Sequence, residues 1–195
     1  MKGKYGVNRL DAFKYEAKQF LDGNKKYILI MVAVFVLALV IGIVIGSTSG
    51  IKRFNEDELI FGSWRFFART LLMLLPVYVF VVFSAVNFLF IVLSYAMLAV
   101  WGIFFGRAMC ILVACLGFSG VLNLVLIYLP ICFFSLIFVM ISLAYSVSQF
   151  PVTGCKAWQQ LKPVLATVGI MAAINLVLNL IIIFICGLII DVIVV

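Results

Sequence analysis

The chain contains no histidine, and only 11% of its 195 residues are charged. The scarcity is uneven: between Arg69 and Lys156 the single charged residue is Arg107. A soluble domain of this length needs polar surface to cover its core, and no polar face can be drawn over such a stretch. Its surroundings must be lipid or other helices. The absences also remove chemistry. There is no imidazole base, no carboxylate near a serine of the apolar segments, and no intramembrane Asp, Glu or His to carry a proton relay. The five cysteines, Cys110, Cys115, Cys132, Cys155 and Cys186, include no CxxC pair. Zinc-ligand spacing is therefore missing, and no metal or other cofactor is expected. Gly42, Gly46 and Gly50 lack the following Lys and Ser or Thr of a phosphate-binding loop. An enzyme is not expected.

What is present is apolar: 67% of the residues are hydrophobic. The net charge of +7 sits at the borders of the apolar runs, where it sets topology. No basic cluster alternates with exposed aromatics, so nucleic acid is not an expected partner. The chain is too short for a membrane module plus a separate soluble domain. The reading is an all-α polytopic membrane bundle of five transmembrane helices, residues 27–195, behind a basic cytoplasmic leader, residues 1–26. The spans are expected at about 27–46, 71–91, 99–117, 121–147 and 164–190. The first is a retained span rather than a cleaved signal peptide, because it follows a long charged leader.

Within the leader, Leu10, Phe13, Ala17, Phe20 and Leu21 recur at helical spacing. Asn8 fits an N-cap and Gly23 a C-terminal stop, which predicts a separate amphipathic helix on the membrane surface or against a partner. Residues 47–69 form a polar connection with Glu56, Asp57 and Glu58, then the aromatics of a short interfacial helix. The run 70–117 would make about 72 Å of helix at 1.5 Å per residue, against a hydrocarbon core of about 30 Å, so it must fold back once. Ser94 and Tyr95 place that break around 92–98. Gly117 and Gly120 make the next turn, and Pro130 should kink the fourth span or mark a break in it. A loop at 148–163 precedes the fifth span.

Basic residues set the orientation. The leader carries Lys2, Lys4, Arg9, Lys14, Lys18, Lys25 and Lys26, and the last loop adds Lys156 and Lys162. The first connection carries only Lys52, Arg53, Arg65 and Arg69. The positive-inside bias puts the N-terminus in the cytoplasm and the C-terminus outside.

Three groups of residues are candidates for function. Ala38, Gly42, Gly46 and Gly50 lie four apart, a side-chain-free stripe on the first span, and Gly102 and Gly106 thin the third. Such faces admit another helix, from this molecule, from a partner or from a second copy in an oligomer. Arg107 is an intramembrane charge, suited to an anion or snorkelling to an interface. Asn87, Asn123, Asn175 and Asn179 are amides in or near lipid. Such amides hydrogen-bond across helices and contribute roughly 0.5–2 kcal/mol each.

The basic leader is followed by a first span ending Gly42-Ile-Val-Ile-Gly46. Then come an outer connection and a double span holding Gly102-Ile-Phe-Phe-Gly106. A glycine turn at Gly117 and Gly120 leads to a span containing Pro130. In this layout the chain resembles the stage II sporulation protein M family of five-helix membrane proteins in endospore-forming bacteria. It departs at the entry to the second span, where members often carry Asn and this chain has Phe66, Phe67, Ala68, Arg69 and Thr70. The resemblance implies a multi-pass protein of the bacterial cell membrane acting as a non-enzymatic scaffold. That scaffold would anchor and localise peptidoglycan-degrading partners, stage II sporulation proteins D and P, during engulfment. The alternative is a small-molecule transporter, or a membrane subunit of a transport complex, with Arg107 and the asparagines lining a path.

Overall fold

The computed structural model describes residues 9–48, 64–149 and 157–194. They form five α-helices in chain order: α1 (Arg9–Thr48), α2 (Trp64–Phe83), α3 (Phe88–Asn123), α4 (Leu129–Ser148) and α5 (Ala157–Val194). A π-helical turn, Leu124–Tyr128, joins α3 to α4. Among the described residues, four stretches are long and apolar enough to cross a membrane: Asp22–Thr48, Phe88–Ala114, Gly117–Ser148 and Leu161–Cys186. Met73–Phe83 of α2 is a shorter apolar stretch. Helix is what such sequences must form in lipid, because no water is there to satisfy backbone N–H and C=O groups.

Successive helices run in alternating directions. α2 and α3 are joined by a tight turn at 84–87, in which Asn87 is extended and its side chain accepts a hydrogen bond from the Leu89 N–H, capping α3. The chain reverses again at Gly117, the one residue of α3 off the helical region, at φ 55° and ψ −123°. No methyl clash forbids a side chain there. The conformation itself does, since only glycine adopts it at low cost. Phe105 and Tyr128, near-equidistant from Gly117 in sequence, meet ring to ring at 5.2 Å, which a continuous rod could not allow. α5 returns along α4, with Ser135 against Asn175. α1 lies beside α3 and runs parallel to it: Tyr27 pairs with Tyr95, Phe35 with Trp101, and Gly46 faces Cys110.

The interior holds a line of aromatic side chains, Phe35, Trp101, Phe105 and Tyr128, at centroid separations of 5.2, 5.5 and 5.2 Å. Around it pack Met31, Val77, Val81, Leu98, Leu112, Val139 and Leu143. The outside is apolar too, with Leu37, Ile170 and Phe184 all more than 60% exposed. Buried serines and asparagines inside an apolar shell are the inverse of a soluble domain and fit a protein whose solvent is hydrocarbon.

Four expectations need correction. The fold-back of the 70–117 run lies at 84–87, not 92–98. Ser94 keeps its place in α3 by donating to the Phe90 carbonyl at 2.7 Å, so its hydroxyl does not break the helix. The second rod therefore ends earlier than expected, at Phe83, and the third begins earlier, at Phe88. The stop expected at Gly23 does not occur: α1 runs through it into the first span. Gly23 has no positive φ, and Asn24 donates to the Phe20 carbonyl at 2.9 Å across the same turn. The leader helix is thus the same rod as the span, while Asn8 lies outside the described residues. Finally, α5 starts at Ala157 and contains Pro163, which the expected loop at 148–163 included. The Glu56–Glu58 region and Gly50 lie outside the described residues.

Candidate functional site

The glycines of the first and third spans meet each other. A methyl on Gly42 would collide with the Ile103 carbonyl, and one on Gly106 with the Leu39 carbonyl. On Gly102 it would stand 3.0 Å from the Ala38 Cβ, and on Gly46 2.9 Å from the Cys110 Cβ. The two backbones are therefore in direct contact over about three turns. In lipid, where burying apolar area between helices brings little gain, close contact of this kind supplies the attraction. The parallel direction of α1 and α3 follows from these pairs, which advance together along both chains.

Arg107 follows Gly106 and is half-buried. Its Cα and carbonyl would stand 3.3 and 3.1 Å from a methyl on Gly46, so it is level with the end of α1. The outward face of α1 changes from Lys25 and Lys26 to Leu29 and Ile30 at one end, and from Ile45 to Ser47 and Thr48 at the other. Lys26 to Ser47 spans about 31 Å of helix, one hydrocarbon thickness. Arg107 is thus level with the place where the exposed face of α1 turns from apolar to polar.

A second site lies between α2, α4 and α5. Asn175 Nδ2 donates to the Tyr78 hydroxyl at 3.0 Å. Ser135 Oγ donates to Asn175 Oδ1 at 3.2 Å and accepts from Asn179 Nδ2 at 3.0 Å. All four residues are buried. Asn175 and Asn179 share a face because they are one turn apart, and α4 brings Ser135 between them. Asn179 Oδ1 has no hydrogen-bond partner, and neither has Ser142 Oγ on α4. Nearer the 84–87 turn, Ser146 Oγ donates to the Val81 carbonyl at 2.6 Å. Ser84 Oγ lies 2.6 Å from that carbonyl and 2.9 Å from Ser146 Oγ. With one proton each, the two hydroxyls share the carbonyl and tie α4 to the end of α2.

The remaining sequence candidates do not join these clusters. Asn87 is an exposed cap at the turn. Asn123 is buried and donates back to the Ser119 carbonyl at 2.9 Å, at the mouth of the π-helical turn. Pro130 follows that turn directly, as the second residue of α4. Its missing N–H cannot close the ordinary helical bond, and a widened turn before it accommodates the loss. Tyr78, Ser135, Ser84 and Ser146 are not singled out by sequence. A polar atom recurring inside an apolar run was the available signal, and only the fold shows which of them meet. Comparison with family models, with curated proteins and with solved structures found no match.

Proposed function

We propose that the chain is a five-span, non-enzymatic membrane scaffold, with its N-terminus in the cytoplasm and its C-terminus outside. The observation that carries this reading is the engagement of mid-bundle polar side chains with one another. Tyr78, Asn175, Ser135 and Asn179 bind across three helices, which holds helices together rather than presenting groups to a solute. α2 counts as the fifth span because α1 and α3 run parallel, so the chain between them must return. As a 20-residue helix it measures about 30 Å, one bilayer core. The basic leader supports the orientation.

On the resemblance of its layout to the stage II sporulation protein M family, the scaffold sits in a bacterial cell membrane. There it anchors peptidoglycan-degrading partners of the kind of stage II sporulation proteins D and P during engulfment. Purification from mildly solubilised native membranes tests this. Co-purifying wall hydrolases support the scaffold, whereas a co-purifying ATPase subunit overturns it. One observation favours the transporter alternative: the partnerless Asn179 Oδ1 and Ser142 Oγ leave polar atoms inside the bundle that a solute could engage. Topology is tested by Asn55→Cys in a cysteine-free chain probed with an impermeant thiol reagent. Labelling in intact cells is expected, and labelling only after lysis reverses the orientation.

A further inference from the structure

The glycine contact fixes the relative heights of the helices, and the heights do not match. Gly46, at the outer end of α1's apolar face, is level with Cys110. Gly117 lies seven residues further along α3, or about 10 Å. The hairpin tip around Gly117 therefore stands about 10 Å beyond the level at which α1's exposed face turns from Ile45 to Ser47 and Thr48. A segment there ought to be polar if water surrounded it. Instead Phe118 is 77% exposed, with Val113, Val121 and Val125 exposed beside it, and no charged residue occurs between Arg107 and Lys156. Phe118 also begins a stripe. Val121, Val125, Leu129 and Phe133 follow at intervals of three or four, all exposed, down the outside of the Gly117–Ser148 rod. The tip is continuous with the surface that faces hydrocarbon lower down.

We propose that the tip at Gly117 and Phe118 is a lipid-binding wedge. Outer-leaflet acyl chains cover it, so that the bilayer beside the α3–α4 hairpin is thicker than the bilayer beside α1. A hydrophobic surface longer than the local membrane is met by tilt or by local thickening, at modest cost per ångström. A rigid bundle with one short side and one long side imposes that difference on its surroundings. The inference rests on the membrane-spanning reading above.

The test places the photoreactive residue p-benzoylphenylalanine at Phe118 of the full chain, and separately at Val36 on the exposed face of α1. Both positions face outward, so neither substitution disturbs packing. The proteins are irradiated in vesicles of phosphatidylethanolamine and phosphatidylglycerol, and in native membranes, and adducts are weighed by mass spectrometry. Phospholipid adducts at position 118, at a yield comparable to position 36, are expected in both settings. Lipid adducts at 36 with none at 118 would overturn the wedge and leave the membrane reading standing. Cross-linking of 118 to protein, in this chain or another, would overturn it in favour of a protein-covered tip. Absence of lipid adducts at both positions would sink the membrane reading and the wedge together.

Discussion

The two halves of the bundle are held by opposite means. Between α1 and α3 the contact is backbone on backbone, made possible by the absence of side chains at Gly42, Gly102 and Gly106. Among α2, α4 and α5 it is made by side chains, through the Tyr78, Ser135, Asn175 and Asn179 hydrogen bonds. Both solve the same problem, that lipid gives helices no hydrophobic reason to associate. They differ in tolerance. A hydrogen bond in a bundle can be lost and partly replaced by dispersion contacts, but a backbone contact has no room for any added atom. The glycine half should therefore be brittle and the polar half graded.

The comparison is broken most directly at Gly106→Leu, whose first added carbon already meets the Leu39 carbonyl. A loss of about 3 kcal/mol, the upper part of the overpacking range, is expected. It would be read as a fall in membrane accumulation and in the melting temperature of the detergent-solubilised protein. Gly42→Leu and Gly46→Leu should behave alike, and wild-type melting in all three would show that the helices do not touch as described.

The polar half should give smaller and unequal effects. Asn175→Leu removes bonds to both Tyr78 and Ser135 and is expected to cost about 1–2 kcal/mol. Asn179→Leu removes one bond but also an oxygen that has no partner, so its cost should be smaller, near zero. Thermal melts of the two variants side by side sharpen the point, and equal losses would mean that Asn179 Oδ1 is engaged.

Gly169 is the control glycine. It lies in α5 with nothing within reach of an added methyl, so Gly169→Ala should stabilise by up to about 1 kcal/mol through helix propensity. A loss instead would reveal a helix packed against α5 from outside. The smallest effect is expected at Arg107. Snorkelling needs a long cationic side chain, which Lys also supplies, whereas a bidentate anion site needs the guanidinium. Arg107→Lys should complement a deletion strain fully, with Arg107→Leu modestly lowering the amount in the membrane. Normal protein level with lost function in Arg107→Lys would move Arg107 to a substrate-binding role.

The unequal legibility of these regions has physical causes. Ala38, Gly42 and Gly46 announce a thin helix face by spacing alone, because small residues every fourth position lie on one side of any helix. Their opposite number at Gly102 and Gly106 is equally visible. That the two faces meet is a property of the fold. The turn at 84–87 was harder to see because its signals, Ser84 and Asn87, resemble other polar residues in apolar runs. Ser94 looks similar in sequence, yet it bonds its own helix at Phe90 and breaks nothing. Gly23 misleads for a related reason: glycine ends a helix only where the chain takes a left-handed step, as at Gly117. The Tyr78, Ser135 and Asn175 cluster joins positions 97 and 40 residues apart, and no local pattern carries such information.

The single-residue reversal at Gly117 also bears on how the protein is made. A membrane-inserting machine ordinarily threads one hydrophobic segment and then moves the following polar loop to its destination. Here nothing polar separates Phe88–Ala114 from Gly117–Ser148, so no polar loop lies between them to be moved. The two segments form one hairpin, closed on itself by the meeting of Phe105 and Tyr128. Glycine at one position thus lets this apolar run close into a hairpin instead of continuing as a single overlong rod.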